Sequence, residues 1–212
     1  MALRIRLWAS RLLDVGEAKT AFGRALLRER YRALQRQIPL LYAIVLVNFM
    51  GLHFASGEPA EALIQPVSLL AMFGVVRLVY WLRMRGRALA PERILVELKR
   101  TLFLAAVLST AFSWSAITIY GQLPLEERHL VILFAALAAV GCAYGLTSFP
   151  AAARLPLVLF AVPFALRLVA SGYPAHAGVG ISLLLITAMI LRITWEAWQT
   201  VRRHGHHDPE GR

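Results

Sequence analysis

Residues 176–194 read HAGVGISLLLITAMILRIT, a stretch in which Arg192 is the only acidic or basic residue apart from the histidine. An α-helix of this length covers roughly 30 Å, which is the thickness of the hydrocarbon core of a bilayer. A chain in hydrocarbon must satisfy its own backbone hydrogen bonds, and a helix does so. The stretch therefore predicts a membrane-spanning helix, and the other apolar runs of the chain can be compared with it.

Five further apolar runs of similar length precede it. The chain is 58% hydrophobic, whereas soluble domains are roughly half apolar. Turn residues separate the runs, because Gly and Pro end helices. The six predicted spans are 38–55, 62–82, 101–120, 130–148, 151–170 and 176–194. The sequence therefore predicts an all-α integral membrane protein, with about six transmembrane helices in one bundle at 38–195.

A basic segment, residues 1–37, comes before the first span, and it carries nine Lys/Arg against three acidic residues. Its apolar residues recur at the helical spacing of three and four, as in Leu27, Tyr31 and Leu34. A basic amphipathic helix is typical of the membrane interface, where anionic lipid attracts it. A solvated lead-in helix is the alternative. Residues 196–212 are predicted to be a cytoplasmic tail at the end of a signalling helix.

The distribution of positive charge predicts the orientation. Nineteen Lys/Arg fall on the side of the two termini, in 1–37, 83–100, Arg154 and the tail, whereas only Arg128 falls in the opposite loops. Because cytoplasmic loops are enriched in Lys and Arg, both termini are predicted to be cytoplasmic. The net charge of +11 is explained by this topology, so nucleic acid is not an expected partner.

Three histidines lie at the ends of predicted spans on the outer side. His53 closes the first span, His129 opens the fourth and His176 opens the sixth. Imidazoles at one depth could bind a metal or haem, or sense pH. Their spacing carries no ligand signature, and histidine also suits a membrane interface. No cofactor is therefore predicted, and whether the three histidines bind a metal ion stays open.

Polar groups inside spans are candidates for a ligand or sensing site, because hydrocarbon makes them costly. Asn48 lies deep in the first span and is expected to face another helix. Arg167 lies near the outer end of a span that contains Pro156 and Pro163. An anionic ligand could meet Arg167 there, and interhelical hydrogen bonding is the alternative for both residues.

A pair of glycines in the fourth span, Gly141 and Gly145, predicts close helix packing. Small residues four apart let two helix backbones approach each other. Packing within the bundle is one interpretation, and a dimer interface is the other.

The segment 181–203 contains neither Pro nor Gly and predicts one helix that leaves the membrane and carries a signal. Trp195, Trp198 and Arg202 are spaced by three and four, so they share a face of that helix. Simple anchoring of the helix end by the tryptophans is the alternative.

Residues 34–42, LQRQIPLLY, followed by LVN at 46–48, resemble the start of the N-terminal membrane sensor modules (MASE type) of bacterial diguanylate cyclases and GGDEF–EAL proteins. The resemblance covers most of 30–195. The further matching positions are Arg77-Leu78, Trp81, Tyr120-Gly121, Gly141-Cys142, Pro163-Phe164 and Ser171-Gly172.

This resemblance implies a sensory or regulatory input module of cyclic-di-GMP signalling in the bacterial inner membrane. The sequence contains no GGDEF motif and no other catalytic motif, so catalysis is not expected of this chain. We expect either the input module of a longer protein or a stand-alone relative. Its expected partners are the lipid bilayer, a second copy in a homodimer, and a cytoplasmic GGDEF-type output domain. A small transporter or permease component, or an accessory membrane subunit, is the alternative.

Overall fold

The computed structural model describes residues 21–54, 66–146 and 149–204, and all secondary structure within these ranges is helical. Each of the six helices there coincides with one predicted span. The helices are α1 Ala21–Phe54, α2 Pro66–Met84, α3 Pro91–Gln122, α4 Arg128–Gly145, α5 Pro150–Val169 and α6 Pro174–His204. The all-α prediction is confirmed for the described part of the chain.

Within the described ranges, four helices are long and apolar enough to cross a membrane. The apolar stretches are Leu27–Leu52 in α1, Pro91–Gln122, Pro150–Val169 and Pro174–Glu196. Large apolar side chains also cover the outside of the bundle, and Trp114 is 76% exposed. Such a surface suits lipid, and these long helices are those of a multi-pass membrane protein. The predicted count of six spans is not confirmed, because neither α2 nor α4 is among these four helices; α4 provides a shorter apolar helix, Arg128–Cys142.

Proline and glycine set the helix ends. α3, α5 and α6 begin at Pro91, Pro150 and Pro174, where a missing N–H costs nothing because the first turn has no acceptor for it. Gly86 and Gly172 adopt φ +79°, which side-chain-bearing residues rarely reach, in the connections after α2 and α5.

α1 is longer than the predicted first span, because it continues through residue 37 and Pro39 without interruption. Leu27, Tyr31 and Leu34 are buried in the core of the bundle, so the apolar face of this part of α1 packs on protein. The boundary predicted at residue 37 therefore falls inside a helix. The interfacial prediction for residues 1–20 lies outside the described residues.

The core has two halves at opposite ends of the bundle. We call one the basic end, because residues 28–36 of α1 and the α2–α3 connection bring five arginines together there. Trp81 and Phe149 lie in its core. We call the other the aromatic end, with Tyr120, Phe160 and Phe164 in its core. Along α3 the two ends are roughly 39 Å apart, at 1.5 Å per residue from position 94 to position 120.

Glycines bring the helices together. A Cβ added at Gly141 would lie 2.7 Å from Ile44 Cγ2, and one at Gly145 would lie 3.1 Å from Leu41 Cδ1. The structure thus places the predicted glycine pair of α4 against α1, inside the bundle. Gly180 lets α6 approach α5 closely in the same way, since a Cβ added there would lie 2.7 Å from the Ala165 carbonyl oxygen.

Candidate functional site

Tyr120 is the centre of a polar site that joins several helices at the aromatic end of the bundle. Its side chain is 0% exposed, in the last turn of α3. A hydrogen bond of 2.7 Å joins its hydroxyl to Nδ1 of His176 in α6. The ring of Phe164 in α5 packs edge-on against it, with 6.2 Å between ring centroids. One tyrosine therefore links α3, α5 and α6.

Two guanidinium groups from different helices also contact the Tyr120 ring. The Cζ atoms of Arg128 in α4 and Arg167 in α5 lie 5.2 Å and 5.5 Å from its centroid. Arg128 Nε donates to the Leu123 carbonyl at 2.9 Å, which fixes the side chain over the α3–α4 connection. A cation over an aromatic face is stabilised by about 0.5–2 kcal/mol, more where water is excluded.

Tyr173 completes the group from the α5–α6 connection. Its ring lies 5.8 Å from Arg128 Cζ and 5.5 Å from the ring of His176. We call this set the tyrosine cluster. Its members are Tyr120, Arg128, Arg167, Tyr173 and His176. Since they come from α3, α4, α5, α6 and the connection between the last two, a change in the cluster must alter the relative position of four helices.

α5 holds a second arginine at its other end, and this one is buried. Arg154 is 5% exposed, its Nη2 donates to the Thr194 carbonyl of α6 at 3.2 Å, and its Cζ lies 5.3 Å from the Trp195 ring. The predicted output residue Trp195 is therefore in contact with α5. Each end of α5 therefore carries an arginine that contacts another helix. Arg167 contacts Tyr120 of α3, and Arg154 contacts Thr194 and Trp195 of α6.

The middle of α5 departs from α-helical geometry. Residues Leu157–Ala161 form a π-helical segment between Pro156 and Pro163. Each proline removes one backbone donor and clashes with the carbonyl four residues earlier, so the regular ladder cannot pass both positions. Within the segment, Phe160 packs edge-on against Phe112 of α3, with 4.8 Å between centroids. π-helical turns of this kind are frequent at functional sites.

Two predicted site residues converge, and two others do not join them. His176 and Arg167, proposed separately from the sequence, both contact Tyr120. Asn48 is buried but donates to the Ile44 carbonyl of its own helix at 2.8 Å. His129 is exposed at the start of α4. The anionic-ligand hypothesis for Arg167 stays a prediction.

For three predicted site residues, His53, Trp198 and Arg202, the structure describes the helical backbone but not the side chain. The backbone prediction for the output segment is confirmed, because α6 runs without a break from Pro174 to His204. In the described part of the chain, no three His, Cys, Asp or Glu side chains are placed to share a metal ion. The hypothesis of a three-histidine metal site includes His53, so it stays a prediction.

Sequence reasoning missed Tyr120, Arg128, Tyr173 and Arg154 as site residues. A signal was present: each aromatic or cation of this set lies within a few residues of a predicted helix end, where amphipathic rings and cations gather. That signal marks membrane interfaces in general, so it could not show which of these residues meet.

Comparison with known proteins gives no match: no protein-family model, no curated protein and no solved structure is similar to this chain.

Proposed function

We propose that this chain is a membrane-embedded sensory or regulatory module, in which α5 passes a change at the tyrosine cluster to the far end of α6. The observation that carries the proposal is that α5 has an arginine near each end: Arg154 is buried and Arg167 is half-buried. Arg167 contacts the Tyr120 ring, whose hydroxyl bonds His176 at the start of α6, and Arg154 contacts Thr194 and Trp195 near its end.

The physical basis is a helix with fixed ends and an irregular middle. The π-helical segment leaves the backbone between the prolines with a hydrogen-bonding pattern different from that of the flanking α-helical turns. A signal that favours one packing of the tyrosine cluster then shifts the position of Arg154 relative to Trp195. Coupling energies between such sites are typically about 1–3 kcal/mol, which a few cation–aromatic and hydrogen-bond contacts can supply.

The topology proposed for this function has six spans and both termini in the cytoplasm of a bacterial cell. Its support is the nineteen-to-one distribution of Lys and Arg and the packing of residues 28–36 with the α2–α3 connection at one end. The basic end is then cytoplasmic and the tyrosine cluster is periplasmic. Following the resemblance to MASE-type modules, the proposed output partner is a GGDEF-type domain that lies beyond α6, and this chain itself performs no catalysis.

A reporter fusion tests the proposal. A diguanylate cyclase catalytic domain is fused after Arg212, and cyclic-di-GMP is measured in cells. Arg167→Gln and Arg154→Gln each change the output by at least about fivefold, because each removes one end of the coupling through α5. Arg192→Gln is the matched control, since it removes an exposed cation of α6 whose guanidinium pairs with Glu196.

Membrane content and detergent gel filtration establish that each fusion is folded. Folded fusions in which both α5 variants behave like the unaltered chain would contradict the proposal and favour a transport or assembly role.

A further inference from the structure

The α2–α3 connection and α1 form the walls of a half-open cavity of about 620 Å³ at the basic end. The residues around it include five arginines and no acidic residue. We call it the arginine cavity. Its arginines are Arg28, Arg32 and Arg36 of α1, and Arg85 and Arg87 of the connection. Tyr31 and Ile94, both buried, are among its other lining residues.

A buried glutamine holds the connection in place. Gln35 is 5% exposed, and its Nε2 donates to the carbonyls of Met84 and Arg87 at 2.7 Å and 2.9 Å. Gly86, at φ +79°, allows the sharp turn between them. The backbone that carries Arg85 and Arg87 is therefore fixed against α1, so the cavity is a built feature of the fold.

The arrangement of positive charge is unfavourable without an anion. Arg28, Arg32 and Arg36 repeat every four residues, so they lie on one face of α1 as two like-charged pairs, which destabilise a helix. Glu29, three positions before Arg32, offsets only one of these two pairs. A concave site lined by one sign of charge focuses the electrostatic field and concentrates counter-ions. Guanidinium groups bind phosphate oxygens in pairs, with a geometry that lysine does not offer.

We propose that the arginine cavity binds a phosphate ester, supplied by the headgroup of an anionic lipid or by a soluble phosphorylated compound. The volume lies in the range of about 300–1,000 Å³ typical of small-molecule sites. The cavity also lies where α2 ends and α3 begins, at the level expected for lipid phosphates if these helices cross the bilayer. This binding site is distinct from the tyrosine cluster, and its test does not depend on the proposed sensory function.

Two arms of one experiment distinguish the sources. The full chain is placed in nanodiscs of phosphatidylcholine, with or without a minor fraction of phosphatidic acid, and native mass spectrometry measures the anionic lipid retained on the protein. In the second arm, pyrophosphate is titrated into the phosphatidylcholine sample by calorimetry. Retention of phosphatidic acid assigns the cavity to a lipid headgroup, and heat of pyrophosphate binding assigns it to soluble phosphate.

Three double variants locate the binding. Arg32→Gln with Arg87→Gln removes one cation from each wall and weakens binding at least about tenfold, as expected for lost charge-assisted hydrogen bonds. Arg32→Lys with Arg87→Lys keeps the charge but loses the paired geometry, and it gives an intermediate loss. Arg93→Gln with Lys99→Gln removes two exposed charges from the same end, outside the cavity lining, and leaves binding unchanged.

Thermal unfolding confirms that each variant is folded; the substituted side chains are exposed, so no large loss of stability is expected. The proposal is overturned if the unaltered chain binds in neither arm. It is also overturned if the Arg93/Lys99 control loses as much binding as the Arg32/Arg87 variant, because that result would show only a general attraction to a basic surface.

Discussion

The tyrosine cluster and the arginine cavity use arginine in opposite ways. In the tyrosine cluster, the guanidinium groups of Arg128 and Arg167 lie over one buried aromatic ring. In the arginine cavity, five guanidinium groups surround open space with no acidic residue in the lining. The same side chain packs half-buried on an aromatic ring in one site and is exposed beside open space in the other. The two roles that we propose, coupling and phosphate binding, therefore follow from the partner and the burial of the arginines and not from the residue type.

Removal of the Tyr120 side chain gives the largest expected effect. Tyr120→Ala lowers the free energy of unfolding by about 3–5 kcal/mol, because it opens a cavity in the core and takes the ring away from two cations. Trp114→Ala, on the exposed face of the same helix, is the control and changes stability by about 0.5 kcal/mol or less. Denaturant unfolding in mixed micelles measures both. Equal losses would mean that the tyrosine cluster contributes no more than a lipid-facing aromatic.

The contact between α5 and α6 near the tyrosine cluster gives the next effect. Gly180→Ala costs about 1–3 kcal/mol, because the new methyl group would lie 2.7 Å from the Ala165 carbonyl oxygen. Gly178→Ala meets no atom within 4 Å and stabilises the helix by up to about 1 kcal/mol. The opposite signs, read from the same unfolding experiment, check the close approach of the two helices. If Gly180→Ala left the free energy of unfolding unchanged, the two helices would have to lie further apart than the structure places them.

Loss of one hydroxyl group has a smaller effect. Tyr120→Phe keeps the ring under both cations but removes the hydrogen bond to His176, and it lowers stability by about 1 kcal/mol. Tyr173→Phe keeps its ring beside Arg128 and serves as the control, with little change expected. If the two variants were equally stable, the bond between Tyr120 and His176 would contribute nothing.

The arginine cavity gives the smallest effect, with the opposite sign. Without phosphate, Arg32→Gln raises the free energy of unfolding by about 0.2–0.5 kcal/mol, because it relieves two like-charged pairs, with Arg28 and Arg36 four residues away, and loses one opposite pair, with Glu29 three residues away. Lys99→Gln has no charged residue three or four positions away and changes stability less. The difference disappears at high salt, where exposed charges are screened. A loss of stability in Arg32→Gln would contradict the account of the cavity as strained by repulsion.

The helices could be predicted from the sequence, because apolar length and Gly/Pro turns are local signals. All six predicted spans coincide with helices, and the continuous output helix was read from the absence of Pro and Gly in 181–203. The length of α1 was underestimated, because the apolar face of Leu27, Tyr31 and Leu34 was assigned to a separate interfacial segment, whereas it packs into the core as part of α1.

The site could be predicted only in part, because its members are distant in sequence. Arg167 and His176 were singled out individually, but Tyr120 lies 56 positions before His176 and no local pattern links the two. The arginine cavity was missed for the same reason. Its arginines were counted as topology signals in two separate segments, and the hydrogen bonds of Gln35 that bring those segments together span 49 and 52 positions.

Fluorine NMR of the chain labelled with 5-fluorotryptophan tests the coupling through α5 most directly. Tyr120 is bonded to His176, and Trp195 lies nineteen positions further along α6, roughly 28 Å at 1.5 Å per residue. We predict that Tyr120→Phe shifts the Trp195 resonance, assigned with Trp195→Phe, and that Arg154→Gln abolishes this response. The resonance of the exposed Trp114 is the internal reference and stays in place. A Trp195 resonance that is identical in the unaltered chain and in Tyr120→Phe would contradict the proposed transmission.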